Sequence, residues 1–491
     1  MLLILSDELI GQSVNTPGIA FWGSKLVDTT YIGAYTSITP LDSNGFELLN
    51  PVFKNSYNSG YPRGYNDGPI WKGRGLTTEI HAGATYKRGG LSVTIQPALY
   101  FSQNKAFDLG PELSSTKSTY NYQYANGIDW VMRYGDKAFT DINLGQSEIR
   151  YTIRHFSVSA STQNITFGPS VFNPIVLSQQ AAGIPHLEIG TTPIAISVKD
   201  KRIIAVTGQI YYGLLRESNY FNNDNTDNQR YYGALNIEII PLAIFPNLKL
   251  GFHKALYNYT QHFDAADLLA PISVPNTDEL SNITNDSYDQ LASFSVDWAF
   301  PEIGFRAYTE FAKNDFTGSF RHTILEPEHS RAYTLGFEKH TSFENGHEIQ
   351  LIYEHSNLSR NHTYLWRPEP TFYVHHINRQ GYTLNGQVLG AGIGPGSVND
   401  QLNALYKFAD LDIGLTLQRT EFNKDYLVTQ ISDKKRHNVE YSAGLHCKKS
   451  FKVIDVSADL TLSKTLNRYY VERNDVTNVY SAITAIYKIG H

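Results

Sequence analysis

The side chains able to do chemistry fall into a few groups. Ser178 and His186 would suit nucleophilic hydrolysis. A nucleophile elbow needs flanking glycines, an acid partner and an oxyanion site. Ser178 stands instead in Leu177-Ser178-Gln179-Gln180. No catalytic residue is assigned, and both side chains are expected to satisfy backbone groups. His375 and His376 would suit a metal, but neighbours on a strand point to opposite faces and do not readily share one ion. The remaining histidines are scattered, so no metal ligand and no cofactor is assigned. The run Gly390-Ala391-Gly392-Ile393-Gly394 lacks the strand and following helix of a dinucleotide site. The single cysteine, Cys447, permits no internal disulfide and reads as a small residue in a strand.

Sugar binding is the better-motivated chemistry. Sugars are held by aromatic faces together with planar amide, carboxylate and guanidinium groups. Three stretches mix these types: Tyr61, Arg63, Tyr65 and Asp67 with Trp71 close by; Trp366, Arg367, Glu369, Phe372 and Tyr373; and Tyr220, Phe221, Asn222, Asn223, Asp224 and Arg230. The plainer reading of any one of them is a solvated loop residue. The candidate glycan contacts are Tyr61, Arg63, Tyr65, Asp67, Trp71, Trp366, Arg367 and Tyr373.

The elements that must position these residues are strands. Ile454, Val456, Ala458, Leu460 and Leu462 alternate with Asp455, Ser457, Asp459 and Thr461. In a strand the two sets face opposite ways, one apolar and one polar. The pattern returns at 91–99, 292–300, 333–338, 411–418 and 479–489. A soluble sandwich also alternates. Many of these segments, however, run to about 9–14 residues, the length a tilted membrane strand needs. Tight polar turns at Lys199-Asp200-Lys201, Pro301-Glu302, Asn345-Gly346, Asp410 and Lys449-Ser450 alternate with long polar loops near 217–230, 258–286, 315–330, 422–436 and 465–476. Short turns on one side and long loops on the other is the outer-membrane barrel pattern. Tyr211-Tyr212, Tyr231-Tyr232 and Tyr469-Tyr470 cluster near strand ends, where interfacial girdles would put them, although for any one pair ordinary strand propensity is the plainer reading.

Composition agrees. The 491 residues carry 33 Tyr, 25 Phe and 37 Gly, with only 18% charged. Mean hydropathy is −0.32, as a barrel with a polar lumen allows. No apolar run reaches the roughly 18 residues of a transmembrane helix. The net charge of −6 does not suit nucleic acid, which calls for a basic face. The fold class expected is all-β: a transmembrane antiparallel β-barrel of about 18 strands with lumen-inserted loops, in the bacterial outer membrane. Residues 1–30 read as an N-terminal arm or the remnant of a signal peptide, because Met1-Leu2-Leu3-Ile4-Leu5 resembles the stub of a signal core. The barrel is expected over 31–491, opening with a strand near 31–39, with inserted segments near 41–76, 163–193 and 374–400. The segment 163–190 is too apolar for an exposed loop. Pro169, Pro174 and Pro185 forbid a long central strand there, so it is expected to fill the lumen. Residues 375–397 are dense in glycine, which lets backbone turn tightly or approach something closely. Asp264 to Leu269 has the character of a short helix inside a long loop.

Three stretches carry a resemblance to the Wzi family of capsule assembly proteins. Phe167-Gly168-Pro169, Asn173-Pro174-Ile175, Leu177-Ser178 and Ala182-Gly183-Ile184-Pro185-His186 resemble its most characteristic segment. Asn66-Asp67-Gly68 with Trp71, Gly73, Arg74 and Gly75 resembles an N-terminal one. Gly381-Tyr382-Thr383, Gly386, Leu389-Gly390, Ile393-Gly394 and Gly396-Ser397 resemble a C-terminal one. The likeness in kind and order spans roughly 25–490. It implies a barrel that acts as a lectin, anchors capsular or exopolysaccharide to the cell surface and has no catalytic activity. The motif residues Phe167, Gly168, Pro169, Asn173, Ser178, Gly183, Pro185, His186, Gly381, Tyr382 and Gly394 are expected to be structural. Two features depart from the family. There is no helical periodicity for a periplasmic helical bundle, and the chain ends at His491 rather than on an aromatic residue. The expected partners are polysaccharide, outer-membrane lipid and other outer-membrane proteins. Two other functions compete: a pore for small solutes, made cation-preferring by inward Asp297, Asp412, Asp455 and Asp459, and a non-catalytic subunit of an outer-membrane assembly.

Overall fold

The computed structural model describes residues 43–113, 118–199, 201–222, 224, 226–273, 288–314 and 324–489. The expected strand at 31–39 and the segment 1–30 lie outside the described residues. One antiparallel sheet closes on itself. Gly45–Asn58 pairs with Gly75–Arg88 on one edge and with Val476–Tyr487 on the other, so the first and last described strands seal the barrel. Eighteen staves form the wall. Three of them are interrupted: Leu91–Ile95 with Ala98–Ser102, Phe139–Asn143 with Glu148–Ile153, and His186–Thr191 with Ile194–Val198. Pro97 and Pro193 stand in two of the gaps, where a residue without an N–H breaks the ladder.

The wall is built inside out relative to a soluble protein. In Asp289–Phe300, Ser293, Ser295 and Asp297 are buried inward, while Phe294, Val296 and Trp298 are exposed. In Arg331–Ser342, Thr334 and Glu338 face in while Leu335 and Phe337 face out. The outer face meets hydrocarbon and the inner face meets protein, as the alternating pattern requires. The tyrosine pairs are a correction. Tyr211 and Tyr232 point into the lumen, and Tyr469 and Tyr470 are buried under a loop, so these pairs do not form a girdle. Tyr212 and Tyr231 do face outward, but the segment 260–273 folds back over them: the Tyr212 hydroxyl donates to the Leu268 carbonyl at 2.5 Å, and Phe263 packs on the Tyr231 ring. Phe46, Tyr57, Tyr86, Phe101, Tyr151, Phe156, Tyr441 and Tyr487 are exposed on the wall instead.

A second correction concerns the insert expected near 41–76. Residues Gly45–Asn58 are wall, and only the stretch beyond Asn58 leaves it. Phe46 and Leu48 face out, then the register shifts between Leu49 and Val52, after which Phe53 and Tyr57 face out. A bulge of this kind flips the phase of the alternation and hides a strand from a period-two reading. Likewise His186 opens the strand His186–Thr191 rather than closing an insert, and Val398–Phe408 begins before residue 400.

Short turns gather at one end and long loops at the other. Parts of three long loops turn inward: 118–138, 162–185 and 358–397. They interlock in an apolar core inside the barrel, with Ile128, Phe167, Ile175, Tyr373, Tyr382 and Ile393 almost fully buried. The inward run of 118–138 was not expected from sequence. Its signal is the cluster Tyr120, Tyr122, Tyr124 and Trp130, far too aromatic for a solvated loop.

Candidate functional site

The lumen wall grips the central insert by its backbone. Glu354 accepts the amides of Val171 (2.7 Å), Phe172 (3.2 Å) and Asn173 (2.8 Å), and Glu310 accepts that of Ile175 at 3.0 Å. Arg306 is held by Asp297 and Glu338 and donates to the Pro169 carbonyl at 3.0 Å. Each such hydrogen bond spares a buried backbone amide a cost of about 1–3 kcal/mol, so this clasp fixes the insert firmly. The family-motif residues belong to this scaffold. Phe167 packs on Tyr211 and His253. A Cβ on Gly168 would press on the Glu310 carboxylate at 3.0 Å. The Asn173 amide reaches Asn399 at 3.2 Å, and the Pro185 carbonyl accepts from Leu214. Ser178 donates to the Gly390 carbonyl at 2.6 Å, and His186 Nδ1 lies 2.6 Å from the Ile184 carbonyl, so both are engaged with backbone. Tyr382 stacks on Tyr373 at 5.8 Å, and the Gly381 carbonyl accepts from Arg230. A Cβ on Gly183 would collide with the Thr162 carbonyl, and one on Gly394, at φ 81°, would collide with the Trp130 ring.

Above this plug, on the long-loop side, lies a cavity of about 170 Å³. Tyr61, Arg63, Tyr65, Asp67 and Trp71 all line it, brought there by the single loop 59–74. The loop rests on the plug: the Gly68 amide donates to the Gln179 carbonyl at 2.8 Å, and the Asn66 side chain to that of Phe172 at 2.9 Å. Asn58 braces it from the wall through the carbonyls of Arg63 and Lys72, both at 3.1 Å.

Each lining side chain is held. The Tyr61 hydroxyl donates to Glu440 at 2.7 Å. Burial, then the Glu440 charge, push that hydroxyl far above the usual phenol range. Arg63 donates to Glu440 at 3.3 Å, to Gln418 at 2.8 Å and to Ser442 at 3.0 Å. Burial works to lower the Lys72 ammonium, but the ion pair with Asp67 outweighs it and holds it well above the ordinary lysine value. Trp71 meets Tyr134 edge-on at 5.0 Å. The structure adds lining residues that sequence reasoning missed: Phe107, Tyr122, Tyr124, Trp130, Glu440, Arg468 and Tyr469. They come from two other loops and one strand, far apart in sequence, so no single local pattern unites them.

The other candidates lie elsewhere. Trp366 is exposed beside His362, and Arg367 pairs with Glu326 on an outer loop. Tyr373 is fully buried: its hydroxyl donates to the Ile175 carbonyl at 2.7 Å and accepts the Ala391 amide at 2.8 Å. It is a plug residue with no face left for a ligand, which corrects its expected role. Arg230 is a plug anchor too, reaching the Thr383 carbonyl at 2.9 Å. Tyr220 packs on Tyr120 and Tyr134, Phe221 is buried, and Asn223 lies outside the described residues. Of the inward acids, Asp297 pairs with Arg306, Asp455 with Lys488 and Asp459 with His446. A larger concavity of about 610 Å³, walled by Leu402, Leu417, Tyr441 and Leu462, opens on the lipid face and offers hydrocarbon rather than a polar ligand set.

The family profile described as capsule assembly protein Wzi matches residues 66–479. Among solved structures, the chain is similar to Wzi of Escherichia coli, described as an outer membrane protein involved in group 1 capsule assembly and a carbohydrate-binding β-barrel. The identity is 12%, with 89% of this chain and 84% of that one covered and a TM-score of 0.60. Acinetobacter baumannii OccAB4 matches at 10% identity over 92% and 100% of the two chains, with a TM-score of 0.43. Pseudomonas aeruginosa OccK8 matches at 9% over 90% and 98%, with a TM-score of 0.42. Comparison with curated protein sequences finds no match.

Proposed function

Because the chain belongs to the Wzi family of capsule assembly proteins, we propose that this outer-membrane barrel binds glycan at its long-loop end and attaches capsular or exopolysaccharide to the cell surface without catalysing a reaction. The observation that carries the reading is the cavity in which Tyr61, Tyr65 and Trp71 stand beside Arg63, Asp67 and Glu440. Aromatic faces set among charged and amide groups are what sugar rings require. The long-loop end of an outer-membrane barrel faces the outside, where such a polymer lies. The carbohydrate binding described for the Escherichia coli relative supports the same reading.

The test is a deletion strain in which polysaccharide is split into cell-attached and released fractions. Unchanged total polymer with more of it shed, restored by the wild-type chain, is the expected result. Fractions that match the parent strain sink the anchoring role. The pore reading is disfavoured by the apolar plug and by the paired lumen acids. A purely structural subunit would leave glycan unbound in a direct binding assay.

A further inference from the structure

We propose that the cavity selects acidic sugars, with Arg468 as the receptor for a sugar carboxylate. This rests on the glycan-binding reading and adds the chemical class of the ligand. Three cations line the cavity, Arg63, Lys72 and Arg468, against two carboxylates, Asp67 and Glu440. Both carboxylates are already engaged, Glu440 with Arg63 at 3.3 Å and Asp67 with Lys72. Arg468 has no ion-pair partner among the described residues, although it is only 9% exposed. It cannot shed its charge by deprotonation. Cations therefore outnumber carboxylates among the lining side chains, in a chain whose net charge is −6.

The guanidinium stands where a ligand would meet it. Its carbon lies 4.1 Å from the ring centre of Tyr61, 4.9 Å from Tyr469 and 5.9 Å from Phe107, and all three rings line the cavity. Rings compensate a buried cation only in part, whereas a carboxylate matches its planar fork with two parallel hydrogen bonds. The backbone spends strain to keep it there. Asn467, Tyr469 and Tyr470 adopt left-handed φ of 46°, 62° and 59° without being glycine. Such conformations persist only where the surroundings over-determine them. Here the Tyr470 hydroxyl holds the Phe422 and Asn423 carbonyls at 3.1 and 2.9 Å, and the Tyr469 hydroxyl holds that of Asp108 at 2.7 Å. A uronate is recognised when its carboxylate docks on Arg468 while its ring lies among the cavity aromatics.

The test uses the purified full chain in detergent and a panel of glucuronate- and galacturonate-containing oligosaccharides, each paired with its carboxyl-reduced form. Calorimetry is expected to give at least about tenfold tighter binding of an acidic member than of its reduced partner, the scale of one charge-assisted interaction. That preference is expected to shrink in high salt. Arg468→Gln abolishes it and Arg468→Lys restores part of it, with gel-shift heat modifiability confirming that each barrel is folded. Equal binding of both forms by the wild-type chain overturns the acidic-sugar inference and leaves the glycan reading standing. Binding of neither form of any pair overturns both. A preference that survives in folded Arg468→Gln removes Arg468 from the role.

Discussion

Trp71 and Tyr61 illustrate how single residues reach the cavity. Both sit on the loop 59–74, so a short stretch of sequence already holds them together. Trp71 is half-buried, with its indole edge on Tyr134, which leaves ring surface for a sugar. Trp71→Ala is expected to weaken glycan binding by about tenfold, the usual cost of truncating an aromatic anchor, with the barrel still folded. Titration with the cell's own polysaccharide checks this. Asp425, on the short loop helix Lys424–Gln430, supplies a pH dependence. Burial pushes its carboxyl up to about 6, although the Arg360 amide and guanidinium pull it down. A carboxyl raised from about 3.9 in the unfolded chain contributes stability that is full below pH ~4 and lost as pH rises through the folded value. Hydrogen exchange over 423–431, corrected for intrinsic rates, is expected to show stronger protection at pH 5 than at pH 8. Asp425→Asn is expected to flatten that difference.

At the scale of elements, the plug depends on the wall's carboxylates more than on its own regularity. The segment 162–185 has no helix or strand of its own, so its backbone amides need acceptors, and Glu354 and Glu310 provide them. Glu354→Gln leaves one oxygen where two served and turns an amide donor toward other donors. A loss of about 1–3 kcal/mol per unsatisfied group, confined to the plug, is the expected consequence. Faster hydrogen exchange over 166–178 with unchanged exchange in the wall reads it out. Gly183→Val forces the insert away from Thr162 and is expected to loosen the same segment. Proteolysis of the plug no faster than wild type would contradict that expectation.

For the whole molecule, the interlocked loops inside the barrel predict a closed lumen. Wild-type protein in a planar bilayer is expected to conduct little. Replacing 166–183 with a short Gly/Ser link is expected to raise conductance severalfold, and equal conductance of the two would show that the insert is not the barrier. The barrel itself was legible in sequence because period-two alternation is a local property of each strand: Leu335 and Phe337 out, Thr334 and Glu338 in. It failed where a bulge reversed the phase, at Leu49 to Val52, and where aromatic pairs such as Tyr469-Tyr470 are equally at home in a girdle and in a lid. By itself, the sequence determined an all-β membrane barrel, the apolar character of the segment around Ile175, and the aromatic-polar loop carrying Tyr61 to Trp71. Only the tertiary structure decided that Tyr373 is spent inside the plug and that Arg468, some 400 residues from Tyr61, stands over its ring at 4.1 Å. The physical reason is closure. Joining the last strand to the first brings opposite ends of the chain to one mouth, and no period or motif within either end records which side chains will meet there.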